Sequence, residues 1–141
     1  SAMAKTRTPP IYTTPPDAPV LDAVKVMAQL DIGSLVVMDH GRMAGMVTFA
    51  EVLRALADRG GTLGELKVSA ITERDPVTAA PTIDVMELRR TMLDRHARYV
   101  PVMDGTTLLG VVSFHDVAKA VYEEQSFENR MLKSYIQDSP A

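Results

Sequence analysis

The sequence contains an internal repeat, which appears when the 141-residue chain is shifted by 65 positions without gaps. Residues 12–56 then align with residues 77–121, and twelve of the 45 aligned positions are identical. About three identical positions would be expected by chance for two segments of ordinary composition. Two copies predict a pseudo-symmetric molecule of two similar halves rather than a solenoid, which usually needs three or more repeats.

Each copy carries the same order of structural signals. Each copy begins with a short extended segment that ends at a proline, and apolar residues at helical spacing then predict a first helix. A short apolar run, a hairpin turn and a second strand follow. A second helix ends the copy. The predicted strands are residues 11–14, 35–38 and 44–47 in the first copy and 77–79, 99–103 and 109–112 in the second. A unit of about 45 residues has little core volume of its own. We therefore predict an α+β fold of two β-α-β-β-α repeats packed sheet to sheet, with a C-terminal helical extension.

The repeat also divides the chain. We expect a disordered N-terminal arm with a tag remnant at residues 1–10, repeat 1 at 11–57, a linker with a short helix at 58–75, repeat 2 at 76–121 and a helical tail at 122–141. The linker helix is expected from the spacing of Leu63, Leu66, Val68 and Ile71. The tail carries apolar residues at helical spacing, which predict a buried helix face. These are Phe127, Met131, Leu132, Tyr135 and Ile136.

Composition excludes several classes of function. With 15 basic and 18 acidic side chains the net charge is −3, so a basic surface for nucleic acid is not expected. No run of eighteen apolar residues is available to span a membrane. The absence of cysteine excludes thiol catalysis and thiolate metal sites, and suits the cytoplasm, where we expect the protein. The three histidines lack metal-ligand spacing and no catalytic motif is present, so neither a metal site nor an enzyme is predicted.

The end of the second hairpin carries the most specific motif. Residues 110–116 read Gly-Val-Val-Ser-Phe-His-Asp, which resembles the glycine, aliphatic pair, Ser or Thr, two variable residues and Asp of CBS domains (the cystathionine β-synthase type). Residues 98–102 resemble the strand before that hairpin, and residues 69–72 resemble the start of a second repeat. Over about residues 11–121 the chain is similar to a tandem CBS pair, or Bateman module, of the stand-alone kind.

Repeat 1 departs from the family pattern. It has Glu51 where the family has Asp, and Gly33 and Ser34 where repeat 2 has Arg98 and Tyr99. The helix that often precedes a first repeat is replaced by Arg-Thr-Pro-Pro at residues 7–10. The match to a ligand site is therefore better in repeat 2.

The hydroxyls of Thr48 and Ser113 fall at strand-to-helix junctions, where free backbone amides attract anions. Asp116 lies one helical turn after Ser113 on the same face, and a carboxylate can accept hydrogen bonds from both hydroxyls of a ribose. Phosphate at Ser113 and ribose at Asp116 suit a 5′-nucleotide, as the resemblance also implies. Ser113 with Asp116, and Thr48 with Glu51, equally fit a capping box that only closes a helix. The sequence leaves both interpretations open.

Two candidate sites follow, each completed by apolar walls for adenine. The site in repeat 2 comprises Thr78, Ala80, Pro81, Arg98, Tyr99, Val100, Pro101, Ser113, His115 and Asp116, with Arg98 available to phosphate. The site in repeat 1 comprises Thr13, Pro15, Pro16, Ser34, Leu35, Val36, Thr48 and Glu51. Phe49 and Phe114 are predicted to lie in the core.

The resemblance implies a non-catalytic, signal-sensing module that binds an adenine nucleotide between its repeats and requires no cofactor. AMP is the first expected ligand, and ADP, ATP, NAD(H) and S-adenosylmethionine share the adenosine group. A homodimer formed through exposed helix faces and an unidentified effector protein are the expected partners. Two alternatives stay open: a ligand-free structural dimerisation module, and an enzyme that acts on the bound nucleotide.

Overall fold

A computed structural model of the chain describes residues 11–138, and it describes side chains for residues 11–126. The predicted N-terminal arm, residues 1–10, lies outside the described residues. So do the five apolar side chains of the predicted tail stripe, residues 127–136. The described residues comprise the two repeats, their linker and the backbone of the last helix.

Repeat 1 forms a three-stranded sheet with two helices. Its elements are β1 (Thr13–Thr14), α1 (Val20–Leu30), β2 (Ser34–Asp39), β3 (Arg42–Thr48) and α2 (Phe49–Asp58). The short β1 runs parallel to β2, and β2 and β3 form an antiparallel hairpin. This is the predicted β-α-β-β-α order, with each hairpin strand slightly longer than its apolar run.

Repeat 2 has the same plan with a reduced first strand. Its elements are α3 (Val85–Asp94), β4 (Tyr99–Asp104), β5 (Thr107–Ser113) and α4 (Phe114–Asp138). The strand predicted at residues 77–79 is reduced to one parallel bridge between Ala79 and Val102. Both hairpins shift register at equivalent positions, after Val37 and after Val102. The α+β class is confirmed, and α4 continues without a break from repeat 2 into the predicted tail.

Each repeat has its own hydrophobic core between its hairpin and its helices. The core of repeat 1 is centred on Val20, Met27, Leu35, Val37 and Val47, and that of repeat 2 on Val85, Leu88, Met92, Val100 and Val112. Because side chains alternate along a strand, Val36 and Met46 point to the opposite face, where both are only 1% exposed. The hairpin of repeat 1 is therefore buried on both of its faces.

One predicted core residue is misplaced. Phe49, the first residue of α2, is 51% exposed rather than buried. Its counterpart Phe114 is partly buried against the core of repeat 2. The ring of Phe49 lines a cavity close to Gly33 instead of packing in the core.

The linker packs along repeat 1. The predicted linker helix is a single 3-10 turn, Val68–Ala70, whose first side chain is fully buried in the core of repeat 1. Further on, Glu73 exchanges backbone hydrogen bonds of 2.9 and 3.0 Å with Met46 on the outer edge of β3. A β-carbon at Gly45 would overlap the Glu73 carbonyl oxygen, and the φ of Gly45 is +154°. Glycine at this position lets the linker cross the sheet closely.

Among the helices of residues 11–138, none combines the length and the apolar composition needed to cross a bilayer.

Candidate functional site

Two cavities between the repeats include the strand-to-helix junctions, and each is lined by residues of both repeats. Cavity A, about 660 Å³, is lined by the start of α2 together with residues from segments 73–77 and 95–99. Cavity B, about 720 Å³, is lined by the start of α4 together with Ile11, Tyr12 and residues from segment 31–36. Each cavity therefore combines the helix start of one repeat with the strand start of the other.

The strand register explains this crossed arrangement. Ser34 pairs with Thr48, and Tyr99 pairs with Ser113. These four residues lie on the sheet faces turned away from the two cores, because their neighbours Leu35, Val47, Val100 and Val112 point into the cores. The end of β3 then faces the start of β4 across cavity A, while the end of β5 faces the start of β2 across cavity B.

The structure groups the predicted residues by cavity in a way that differs from their grouping by repeat. Ser34 and Val36, predicted to act with Thr48 and Glu51, line cavity B with Ser113 and Asp116 instead. Arg98 and Tyr99, predicted for repeat 2 alone, line both cavities. His115 lines cavity B as expected.

The remaining predicted residues lie away from both cavities. In repeat 2 these are Thr78, Ala80, Pro81, Val100 and Pro101, and in repeat 1 they are Thr13, Pro15, Pro16 and Leu35. Leu35 and Val100 belong to the cores of their repeats. Thr13 lines a third cavity, of about 610 Å³, which also touches both hairpin turns. The residues predicted as adenine walls therefore do not line the two cavities, except for Val36 and Tyr99.

Several residues that line the two cavities were not among the predicted site residues. Ile11, Tyr12 and Ile32 line cavity B, and Pro76 and Val77 line cavity A. Their positions in the sequence could have indicated them, since each group directly precedes a segment that was assigned to a site. An alignment of one repeat with the other shows which positions are equivalent, but not which of them meet.

The Ser113–Asp116 pair closes the start of α4 and faces cavity B. The Asp116 amide donates to Ser113 Oγ at 3.1 Å, and the Ser113 amide donates to Asp116 Oδ2 at 3.4 Å. The second contact is long for such a bond. Among the described residues nothing donates a hydrogen bond to Asp116 Oδ1, and the side chain is only partly buried. The carboxylate can therefore accept hydrogen bonds from a ligand in cavity B.

The Thr48–Glu51 pair forms a tighter capping box at the start of α2. Glu51 Oε1 accepts from the Thr48 amide at 2.8 Å and from the Thr48 hydroxyl at 3.0 Å. Its Oε2 lies 3.7 Å from Arg54, and the Glu51 side chain is 8% exposed. The Ala50 amide in turn donates to Thr48 Oγ1 at 3.2 Å. This carboxylate is already engaged by the protein and is poorly accessible from cavity A.

Tyr99 stands between the two cavities. A β-carbon at Gly33 would overlap its hydroxyl and would lie 2.9 Å from Phe49 Cε2, so the phenol packs directly on the Gly33 backbone. Burial raises the pKa of Tyr99, Arg98 opposes the rise and the Asp116 carboxylate adds to it. The ring of Tyr99 thus links the helix start at cavity B with the glycine of the other repeat.

Comparisons with known proteins agree with this architecture. The sequence profile of the CBS domain matches residues 5–58 and 68–123. The CBS domain-containing protein CBSX3, mitochondrial, of Arabidopsis thaliana is 35% identical over 126 residues, which are 86% of this chain. The chain spans 61% of the length of that relative.

Solved structures extend the likeness. A protein with CBS domains from Burkholderia ambifaria MC40-6 is 31% identical with a TM-score of 0.77, over 82% of this chain and 85% of that one. The CBS domain pair of protein MJ0100, in complex with 5-methylthioadenosine and S-adenosyl-L-methionine, covers 86% of this chain and 94% of its own with a TM-score of 0.73. At 24% identity that second likeness speaks for the fold alone. Two profile matches that coincide with the two repeats establish that the chain belongs to the CBS-domain family, as a tandem pair.

Proposed function

We propose that this chain is a non-catalytic regulatory module that binds an adenine nucleotide, AMP first, between its repeats, with cavity B as the principal site. The observation that carries the proposal is the Ser113–Asp116 pair, whose free carboxylate oxygen faces a cavity built from both repeats. Occupation of such a cavity changes the relative stability of the arrangements that the two repeats can adopt. That change is the signal, and it is limited by the ligand's differential affinity for those arrangements.

The dimensions and lining of cavity B support a nucleotide. Its volume of about 720 Å³ falls in the range of small-molecule sites, about 300–1,000 Å³. Ile11, Ile32, Val36 and Val111 provide apolar walls for adenine. In this proposal the Asp116 carboxylate accepts hydrogen bonds from the ribose hydroxyls. This assigns the apolar wall to the base and the carboxylate to the sugar.

The phosphate is assigned to the start of α4 and to Arg98. The Ser113 hydroxyl and the helix amides favour an anion at this end, and the guanidinium provides charge-assisted hydrogen bonds. Arg98 is the only lysine or arginine among the described residues that line cavity B, which also contains Asp31 and Asp116. A single cation opposed by two carboxylates favours one phosphate over three. We therefore rank AMP above ADP and ATP, and keep NAD(H) and S-adenosylmethionine as further ligands to test.

The test combines calorimetry with a stability measurement. AMP, adenosine, ATP, NAD and S-adenosylmethionine are titrated separately into the purified protein, and unfolding is followed with each ligand. AMP at about 100 times its dissociation constant should raise the free energy of unfolding by about 2.7 kcal/mol. If none of the five ligands at millimolar concentration gives a calorimetric binding signal or changes the free energy of unfolding, the cavities do not bind these ligands. The structural dimerisation module is then the better description. Turnover of a bound ligand would favour the enzyme.

A homodimer, located in the cytoplasm and read by an effector protein, completes the proposal. Leu53 on α2 is 65% exposed and Leu93 on α3 is 46% exposed, and both lie with Phe49 at the rim of cavity A. Burying these side chains against a second copy would remove apolar area from water and cover the rim. Native mass spectrometry should show a dimer for the parent and a monomer for Leu53→Glu. An unchanged mass for that variant would place the interface elsewhere.

A further inference from the structure

Arg98 and Tyr99 form a wall shared by the two cavities. Both residues line cavity A and both line cavity B, although they belong to a single strand start. The equivalent positions in repeat 1 hold Gly33 and Ser34. The molecule therefore has one guanidinium and one phenol at the boundary where a symmetric pair would have two of each.

The packing of Tyr99 explains why only one such wall fits. Its hydroxyl occupies the space that a β-carbon of Gly33 would need, and the Phe49 ring lies on the far side of the same space. A larger residue at position 33 would displace the phenol. The small residues of repeat 1 thus accommodate the large residues of repeat 2, and the backbone that carries Arg98 is fixed between the cavities.

We propose that this shared wall makes the two cavities compete for anionic ligands, so that a phosphate bound in one cavity weakens the binding of a second phosphate in the other. The inference rests on the proposed function, because it needs nucleotide binding in the cavities. A guanidinium presents one planar fork of donors, and it can direct that fork at one phosphate at a time. The first anionic ligand to bind takes these donors, and the second ligand meets a cavity that has lost them.

The charges that line the cavities make this loss significant. In cavity B no other lysine or arginine is present among the described lining residues, and two carboxylates oppose the phosphate. In cavity A, Arg54 lies 3.7 Å from Glu51, and Glu73 and Asp75 add negative charge. Arg95 is one further arginine of that lining, so cavity A depends less on Arg98 than cavity B does. Because coupling between two binding sites is reciprocal, occupation of either cavity lowers the affinity of the other by the same factor. An uncharged adenosine makes no demand on Arg98 and should leave the cavities independent.

The experiment compares the AMP affinity of cavity A when cavity B is occupied with its affinity when a substitution prevents binding in cavity B. Calorimetric titration of the parent with AMP gives the second, weaker dissociation constant, measured with cavity B occupied. Titration of Asp116→Ala, and of Asp116→Asn to retain an acceptor for the helix cap, gives the constant for cavity A with cavity B empty. We expect AMP to bind cavity A at least about fivefold more tightly in these variants. The same comparison with adenosine should give equal constants.

A third variant assigns the effect to the guanidinium. In Arg98→Gln the two AMP constants should approach each other, and adding Asp116→Asn should no longer tighten cavity A. The inference is overturned if the second AMP constant of the parent equals that of the Asp116 variants, if those variants bind no AMP at all, or if Arg98→Gln keeps the original ratio. The proposed function fails separately, and recognisably, if the parent binds neither AMP nor adenosine.

Discussion

Cavities A and B are built from equivalent elements and differ in the state of one carboxylate. Glu51 accepts two hydrogen bonds from Thr48 at 2.8 and 3.0 Å, lies near Arg54 and is almost buried. Asp116 accepts one long hydrogen bond and is only partly buried. The extra methylene of Glu51 lets its carboxylate reach back over the helix start. The same capping spacing thus gives a satisfied structural group in one repeat and an available acceptor in the other.

The second difference lies at the strand starts, where Gly33 and Ser34 stand opposite Arg98 and Tyr99. A duplicated unit places equal side chains around its pseudo-two-fold axis, where space for two large ones is lacking. The overlap that a β-carbon at Gly33 would have with Tyr99 shows this limit directly. Substitution at these few positions is enough to give two cavities of similar volume different chemistry.

The largest expected difference between the cavities concerns ligand affinity. Asp116→Ala should lower AMP affinity at the stronger site by about 10- to 100-fold, since a hydrogen bond to a charged group contributes about 1.5–3 kcal/mol. Glu51→Ala, the matched substitution in cavity A, should change that affinity by less than about threefold. Calorimetry on both variants measures the contrast. Equal losses would mean that both carboxylates contact ligand, and would remove the distinction.

The next largest effect concerns the shared wall. Gly33→Ala should lower the free energy of unfolding by about 1–3 kcal/mol, because the added methyl displaces the Tyr99 phenol in a packed region. Combining it with Tyr99→Ser, which introduces the residue found at the equivalent position of repeat 1, should remove most of that loss. Urea unfolding of both single variants and the double variant gives the coupling between the two positions. Strict additivity would show that they do not share space.

The capping boxes should differ in their contribution to folding. Glu51→Ala should lower the free energy of unfolding by about 1 kcal/mol, a typical value for loss of a helix cap. Asp116→Ala should lower it by about half as much or less, since its bond to the Ser113 amide is longer. Glu51→Ala should therefore have the larger effect on folding stability, and Asp116→Ala the larger effect on AMP binding. If Asp116→Ala proves the more destabilising, the carboxylate in cavity B is mainly structural.

The smallest effect is a dependence on alkaline pH. Burial raises the pKa of Tyr99 in the folded protein, so the unfolded chain loses this proton first. Below pH 10, about the pKa of tyrosine in an unfolded chain, the contribution of Tyr99 to the free energy of unfolding does not change with pH. As the pH rises from there through the pKa of Tyr99 in the folded protein, the free energy of unfolding falls. Urea unfolding at a series of alkaline pH values should show a shallower decline for Tyr99→Phe, with Tyr122→Phe as the control for an exposed phenol. Parallel curves for the parent and Tyr99→Phe would contradict the partly buried position of the phenol.

Much of the fold could be predicted from the sequence, because its signals are local. The two hairpins, the helices that follow them and the capping pairs lie where apolar runs, turn residues and spacing placed them, and the CBS resemblance is confirmed. The prediction of a strand at residues 77–79 was wrong in its extent, since only a single bridge forms there, at Ala79. Phe49 was assigned to the core, but the orientation of a first helical turn relative to the sheet is not encoded in hydropathy.

The sequence by itself determined that this protein is a duplicated α+β unit with a polar pair at each strand-to-helix junction. Only the tertiary structure decided that each junction faces the strand start of the other repeat, and that Glu51 is enclosed while Asp116 is open. The physical reason is that capping and periodicity depend on residues within one or two turns. Which surfaces meet, and how much water reaches a carboxylate, depend on packing between segments far apart in the chain, such as Thr48 and Tyr99 at cavity A and Ser34 and Ser113 at cavity B.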